Sequence, residues 1–185
     1  MHRQPALALL AAHAATPLGP GEAAMTAATV AFAQAHPDCL LRTCLAGHLT
    51  GSAWVVDATR QWALLTHHRK LGRWLQLGGH ADGEPDLLAV ALREAREESG
   101  LPDVTPLSAA LFDVDRHWIP ERPGEPGHWH HDLRFLLLAG RTAPLVVSRE
   151  SKDLAWVRLA GVAQLNPDIS LARMVRKTLE SIKLI

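Results

Sequence analysis

The chain has 185 residues, enough for one domain with a substantial core and too few for a second of full size. Hydrophobic residues make up 48% and charged ones 21%, and 19 Lys and Arg balance 19 Asp and Glu. That balance is ordinary for a globular protein and argues against bulk binding to nucleic acid or to an anionic membrane.

Residues 1–15 contain Arg3, an apolar run at 6–12 and Ala-His-Ala at 12–14, a faint imitation of a secretory leader. The apolar core is short and the start nearly uncharged, so the segment reads as an amphipathic first helix of a cytoplasmic protein. A Pro-Gly turn at 17–21 leads to a second helix ending near Gln34. The two cysteines, Cys39 and Cys44, lack C-x-x-C spacing and a second pair, and read as thiols in a reducing compartment. Residues 43–56 are largely β-branched, small and apolar, residues 57–61 supply turn chemistry and 62–66 resume the strand pattern, which predicts a hairpin. A cationic loop at 67–72 and a short strand at 73–77 lead into Gly78 and Gly79. Asp86 suits an N-cap and Gly100 a left-handed C-terminus, so the segment between them is predicted helical, with Leu88, Ala91, Leu92 and Ala95 as its buried face. Strands are expected at 104–119 and 129–139, joined by a Pro/Gly-rich loop at 120–127, then at 154–159, with a closing helix at 170–182. No apolar run approaches the ~18 to 20 residues needed to span a membrane. Helices and strands interleave without a regular βαβ period, so the expected fold class is α/β, with a mixed β-sheet between helical layers.

The chemistry concentrates in residues 79–101, G-H-A-D-G-E-P-D-L-L-A-V-A-L-R-E-A-R-E-E-S-G-L. Helical positions three and four apart share a face, so Glu94, Glu97 and Glu98 can point into one small volume. Three like charges there call for a cation, and a hard divalent ion, Mg2+ or Mn2+, is the natural one. The segment resembles the signature of Nudix hydrolases: glycine, five residues, glutamate, seven residues, then R-E-U-x-E-E-x-G-U, with U bulky and apolar. Gly79 takes the first glycine, Arg93 and Glu94 the R-E pair, Glu97 and Glu98 the E-E pair, and Gly100 with Leu101 the ending. Ala95 fills the first U position, and Pro85 stands where the first glutamate is expected, with Asp82, Glu84 and Asp86 as the nearest carboxylates.

The resemblance implies a Nudix-type α/β/α sandwich, one domain over 1–185 with a helical extension at 1–38, the family pattern covering roughly 46–159. It implies metal binding by Glu94, Glu97, Glu98 and the Gly79 carbonyl, and catalytic roles for the same glutamates with Arg93 holding a carboxylate in place. In some members the glutamate at the Glu94 position is the general base, and in others a late loop supplies it; Glu150 lies in such a loop. A subgroup pairs W-L-Q-x-G-G-H with a later H-x-D-x-R-F, here 74–80 and 130–135, which adds His80, His130 and Asp132 to Glu150 as substrate-binding candidates.

Eleven histidines are present, four of them (His117, His128, His130, His131) within 113–132. On a strand, His128 and His130 share one face and His131 takes the other. These rings read as a substrate clamp, as a second metal site with Asp132, or as hydrogen-bonded histidines flanking a sheet. His67 to Lys70 could bind a terminal phosphate or form a solvated hairpin, and Trp74 and Trp129 could stack on a base or pack in the core.

The leading expectation is a metal-dependent hydrolase that cleaves the pyrophosphate bond of a nucleoside diphosphate linked to another moiety, with a small nucleotide as substrate, no membrane or bulk nucleic acid partner, and a homodimer compatible with the sequence. The Pro85 departure motivates a rival, a nucleotide-sensing Nudix-like module without turnover, against which the crowding of three carboxylates argues. A relative of the isopentenyl diphosphate isomerases would need a cysteine in the cleft, whereas Cys39 and Cys44 precede most of the sheet.

Overall fold

The computed structural model describes residues 2–182. In chain order the elements are α1 (Gln4–Ala14), α2 (Pro20–Ala35), β1 (Gly47–Val56), β2 (Trp62–His68), β3 (Arg73–Leu75), β4 (Leu77–His80), α3 (Leu87–Ser99), β5 (Thr105–Pro106), β6 (Asp113–Ile119), β7 (His128–Leu138), β8 (Ser151–Arg158), α4 (Val162–Leu165) and α5 (Ile169–Ile182). They form two compact units, Met1–Ser52, Gly78–Ala91 and Ala109–Phe135 in one, Ala53–Leu77, Leu92–Ser108 and Leu136–Ile185 in the other.

In the first unit α1 and α2 pack together, and the buried pair His13 Nε2 to Glu22 Oε1 at 2.8 Å ties them. β6 runs antiparallel to β7 with Asp113 opposite Arg134, Asp115 opposite Asp132, His117 opposite His130 and Ile119 opposite His128. α2 lies against this pair of strands through Thr29, whose hydroxyl meets His131 Nδ1 at 3.0 Å, and Phe32, whose ring stacks on His131 at 4.2 Å. In the second unit β2 lies between β3 and β8, both antiparallel to it. Its turn from β1 is held by Asp57, whose carboxylate accepts from Thr59 Oγ1 and the amides of Gln61 and Trp62. Trp54, Leu64, Leu65, Leu171 and Met174 are fully buried, and the Trp54 indole N–H donates to Thr178 Oγ1 at 2.9 Å.

The two N-terminal helices, the hairpin turn, the signature helix and the C-terminal helix lie where the sequence pattern puts them. β1 starts at Gly47 rather than 43, because the preceding residues turn about buried Cys39 and Leu40, with Leu49 N donating to Cys39 O at 2.7 Å. His67 and His68 belong to β2, paired with Trp74 and Arg73, so the cationic loop is shorter than expected. The strand expected over 104–119 is broken into β5 and β6; Pro106 has no N–H with which to continue a ladder. The single turn of α4 has no counterpart in the sequence pattern.

In α3, Asp86 Oδ1 accepts from the amides of Leu88 and Ala89 at 3.1 Å each, and Gly100 ends the helix at φ +71°. The buried stripe is Leu87, Val90, Ala91, Ala95, Glu98 and Ser99, while Leu88 and Leu92 are not buried. The stripe is thus rotated from the expected one, and Glu98 lies on it. Asp86→Ala removes the cap from both amides and is expected to cost about 1 kcal/mol of stability, read as a lower urea midpoint at unchanged slope.

Candidate functional site

The signature helix carries its acids in two environments. Arg93 Nη1 lies 2.9 Å from Glu94 Oε1 and 3.6 Å from Glu97 Oε2, so one guanidinium serves two carboxylates on adjacent turns. The Glu97 side chain is largely exposed and that of Glu94 largely covered, whereas Glu98 is 8% exposed. A carboxylate that deep in a helix face is costly to keep charged unless positive charge or donors reach it.

The loop before the helix uses its own acids structurally. Asp82 takes Arg42 in a two-point ion pair at 2.6 and 2.7 Å, Glu84 Oε1 accepts from the Asp86 amide, and Asp86 caps α3. All three carboxylates nearest Pro85 are therefore engaged in holding the loop. Gly79 lies in β4 beside Gly78, whose φ is +154°; a Cβ on Gly78 would sit 2.7 Å from Ser52 Cα, so the strands approach there only because the residue is glycine.

His80, His130 and Asp132 all belong to the first unit, on a polar strand face that extends beyond the residues singled out by sequence. His48, Thr50 and Ser52 alternate along β1, Asp113, Asp115 and His117 along β6, and His128, His130, Asp132 and Arg134 along β7. The Arg134 side chain is 3% exposed; its Nε meets Asp132 Oδ2 at 2.7 Å, Nη1 meets Asp113 Oδ2 at 3.3 Å and Nη2 meets Asp115 Oδ2 at 3.2 Å. Burial opposes the Arg134 charge, but Asp132, Asp115 and Asp113 together hold its pKa above the ordinary value. Asp132 Oδ1 also accepts from Thr50 Oγ1 at 2.8 Å and Ser52 Oγ at 2.7 Å. Asp132 is accordingly an anchor for Arg134, with both oxygens in use, rather than a ligand of the histidines.

Next to this anchor the rings gather. The His130 ring centroid lies 4.7 Å from that of His48, 5.0 Å from those of His80 and His128, and 5.4 Å from that of His117. His131, on the other face of β7, belongs instead to the packing under α2. The motifs do not contain His48 or Thr50, they leave the role of His128 open, and Arg134 enters only as the arginine of H-x-D-x-R-F with no role attached; the signal that could have found them is polar residues at alternate positions in three strand-like segments.

Glu150 is exposed, and its carbonyl accepts from the Arg69 amide at 2.8 Å. Trp74 stacks on His67 at 5.1 Å, and Trp129 carries the Arg116 guanidinium 3.7 Å above its ring, so both indoles already have packing partners. Cys39 and Cys44 are buried free thiols, pushed up in pKa by burial.

The NUDIX domain family matches residues 48–177 of this chain, well over half of it. Among solved structures, an Ap4A hydrolase binary complex of C. elegans superposes with a TM-score of 0.60 at 16% identity, covering 74% of this chain and 98% of that one. The dihydroneopterin triphosphate pyrophosphohydrolase of E. coli gives 0.55 at 14%, covering 70% and 92%, and the NUDIX domain of Shewanella oneidensis NrtR complexed with ADP ribose gives 0.52 at 19%, covering 72% and 87%. No curated protein matches by sequence. The fold class is that of the α/β/α sandwich with a mixed β-sheet expected from the motif. The chain belongs to the Nudix family and is a Nudix hydrolase.

Burial, reinforced by neighbouring cationic groups, holds His48, His80 and His131 at about 4 and His130 lower still. In the unfolded chain these rings titrate near 6.5, so unfolding takes up protons below that pH. Stability of metal-free protein is therefore expected to be full above about pH 6.5 and to fall toward pH 4. In urea titrations across that window, His131→Phe, which keeps the stack on Phe32, should flatten the slope by up to about 1.4 kcal/mol per pH unit.

Proposed function

We propose that this Nudix hydrolase is a divalent-metal-dependent pyrophosphohydrolase acting on a nucleoside diphosphate linked to another moiety. The observation that carries the reading is the acid series of α3: Arg93 seated between Glu94 and Glu97, followed by buried Glu98. A donor set made only of carboxylate oxygens fits a hard ion such as Mg2+ or Mn2+ and suits softer metals poorly. Such an ion, when bound, neutralises the diphosphate and lowers the pKa of a coordinated water.

Glu97 and Glu98 are assigned to hold the ion. Arg93 fixes the Glu94 carboxylate through the 2.9 Å contact, which limits where that group can present a lone pair. Two carboxylates are candidates for the general base that takes the proton of the attacking water, Glu94 on the helix and Glu150 on its exposed loop. His80 and His130, largely neutral at pH 7, can meet a substrate as hydrogen-bonding rings without adding charge. The buried free thiols Cys39 and Cys44 suit a cytoplasmic protein.

The structural neighbours set the panel: Ap4A, ADP-ribose and dihydroneopterin triphosphate, extended with nucleotide sugars and nucleoside triphosphates. Purified protein with Mg2+ or Mn2+ is expected to release phosphate-containing products from at least one. Glu98→Gln should lower kcat by about 100-fold or more with its melting temperature retained. Comparing Glu94→Gln with Glu150→Gln identifies the base as the variant that loses the rise of kcat with pH. An inert wild type that nevertheless binds one of these nucleotides and returns it intact would favour the sensing module.

A further inference from the structure

The ring nitrogens at the centre of the histidine group are arranged around a point. His130 Nε2 lies 3.1 Å from His48 Nε2 and 3.1 Å from His128 Nε2, and one ring nitrogen from each of the three lies within 4.8 Å of the others. A tetrahedral ion with metal–nitrogen bonds of ~2.0–2.1 Å sets its ligand nitrogens ~3.3 Å apart. Two of the three spacings, those from His130, are close to that edge.

Hydrogen bonding alone does not account for three nitrogens facing one another. His128 Nδ1 lies 2.9 Å from the Pro126 carbonyl, which can only accept, so Nδ1 carries the hydrogen and Nε2 of the neutral ring presents its lone pair. His130 Nε2 can then satisfy His128 only by donating, which leaves it without a lone pair for His48. His48 Nδ1, on the far side of that ring, is itself buried with no hydrogen-bond partner. Three imidazoles with a shared focus, and one tautomer fixed by a backbone carbonyl, are what a metal-ligating histidine set requires.

We propose that His48, His128 and His130 bind a divalent transition metal of the zinc class, separate from the hard-ion site assigned to the glutamates. Nitrogen donors select Zn2+, Co2+ or Ni2+ over Mg2+. His48 and His128 are 3% and 4% exposed, which protects two of the three ligands. Glu125, half exposed, places Oε1 3.9 Å from His128 Nε2 and supplies a carboxylate for the fourth position or for charge balance. β1 and β7 deliver the three ligands, and the Arg134 anchor joins those same strands through Thr50, Ser52 and Asp132. Asp132, committed to Arg134, is not a ligand.

The test uses the whole chain, stripped with a chelator and titrated with Zn2+ against a chromophoric competitor, then with Co2+ for its visible spectrum. The expected result is one equivalent of Zn2+ bound at about 1 µM or tighter, and a Co2+ spectrum of a tetrahedral nitrogen site. His128→Asn and His130→Asn should each weaken Zn2+ binding by about 100-fold, while Glu98→Gln leaves it intact. Because a histidine variant can misfold, imidazole 15N shifts of wild type on Zn2+ addition give an independent readout, with the Nε2 signals of all three rings moving. The proposal is overturned if wild type binds no stoichiometric Zn2+, if binding follows Glu98 instead of the histidines, or if it is lost in Cys44→Ser, which would place the ion at His36, Asp38 and Cys44.

Discussion

Much of the first unit depends on one buried guanidinium. Arg134 is almost without solvent, and each of its three nitrogens faces a different carboxylate. The planar fork of arginine can do this and the single ammonium of lysine cannot. Asp113 and Asp115 come from β6 and Asp132 from β7, while Thr50 and Ser52 bring β1 to the second oxygen of Asp132. Three strands are thus locked in register by one charge. A slip of one residue in β7 would send Arg134 to the opposite face and leave Asp113 and Asp115 of β6 buried without it, at a cost of several kcal/mol.

The same register explains the histidines. Two and four residues before Asp132 on β7 come His130 and His128, on the same face by the two-residue period of a strand, and two residues before Thr50 on β1 comes His48. Fixing Asp132 against Thr50 and Ser52 therefore fixes His130 and His128 against His48. The polar face divides into an ion-paired zone around Arg134 and an imidazole zone, where burial suppresses charge on His48, His80 and His130. His131, one residue out of phase, does unrelated work beneath α2.

This division separates what is legible in the chain from what is not. Arg93 to Leu101 stands out because it matches the fixed positions of the signature of the family to which the chain belongs, and Asp86 and Gly100 bound the helix by local backbone chemistry. The two-residue period of a strand puts His128 and His130 on one face and His131 on the other, as the structure has them. Asp132 stands out through the H-x-D-x-R-F pattern, but the pattern does not show that, besides Arg134, its partners are 80 and 82 residues away at Ser52 and Thr50. Burial of most of a polar strand face runs against hydrophobic patterning, so only pairing partners distant in sequence reveal it. The buried stripe of α3 is misplaced by the pattern for a related reason: Glu98 is on it, and a rule that buries only apolar residues rotates the helix away.

The departure at Pro85 takes on a different meaning in this setting. A proline there presets the backbone just ahead of the helix and has no side-chain donor or acceptor, while Asp82, Glu84 and Asp86 each hold a loop contact or cap. The loop has become a scaffold, and its acids are committed to shape. Within α3, Arg93 offsets Glu94 and Glu97, and Glu98 follows on the buried stripe. Oxygen donors gather on the helix and nitrogen donors on the strands, and hardness sorts ions between two such sets.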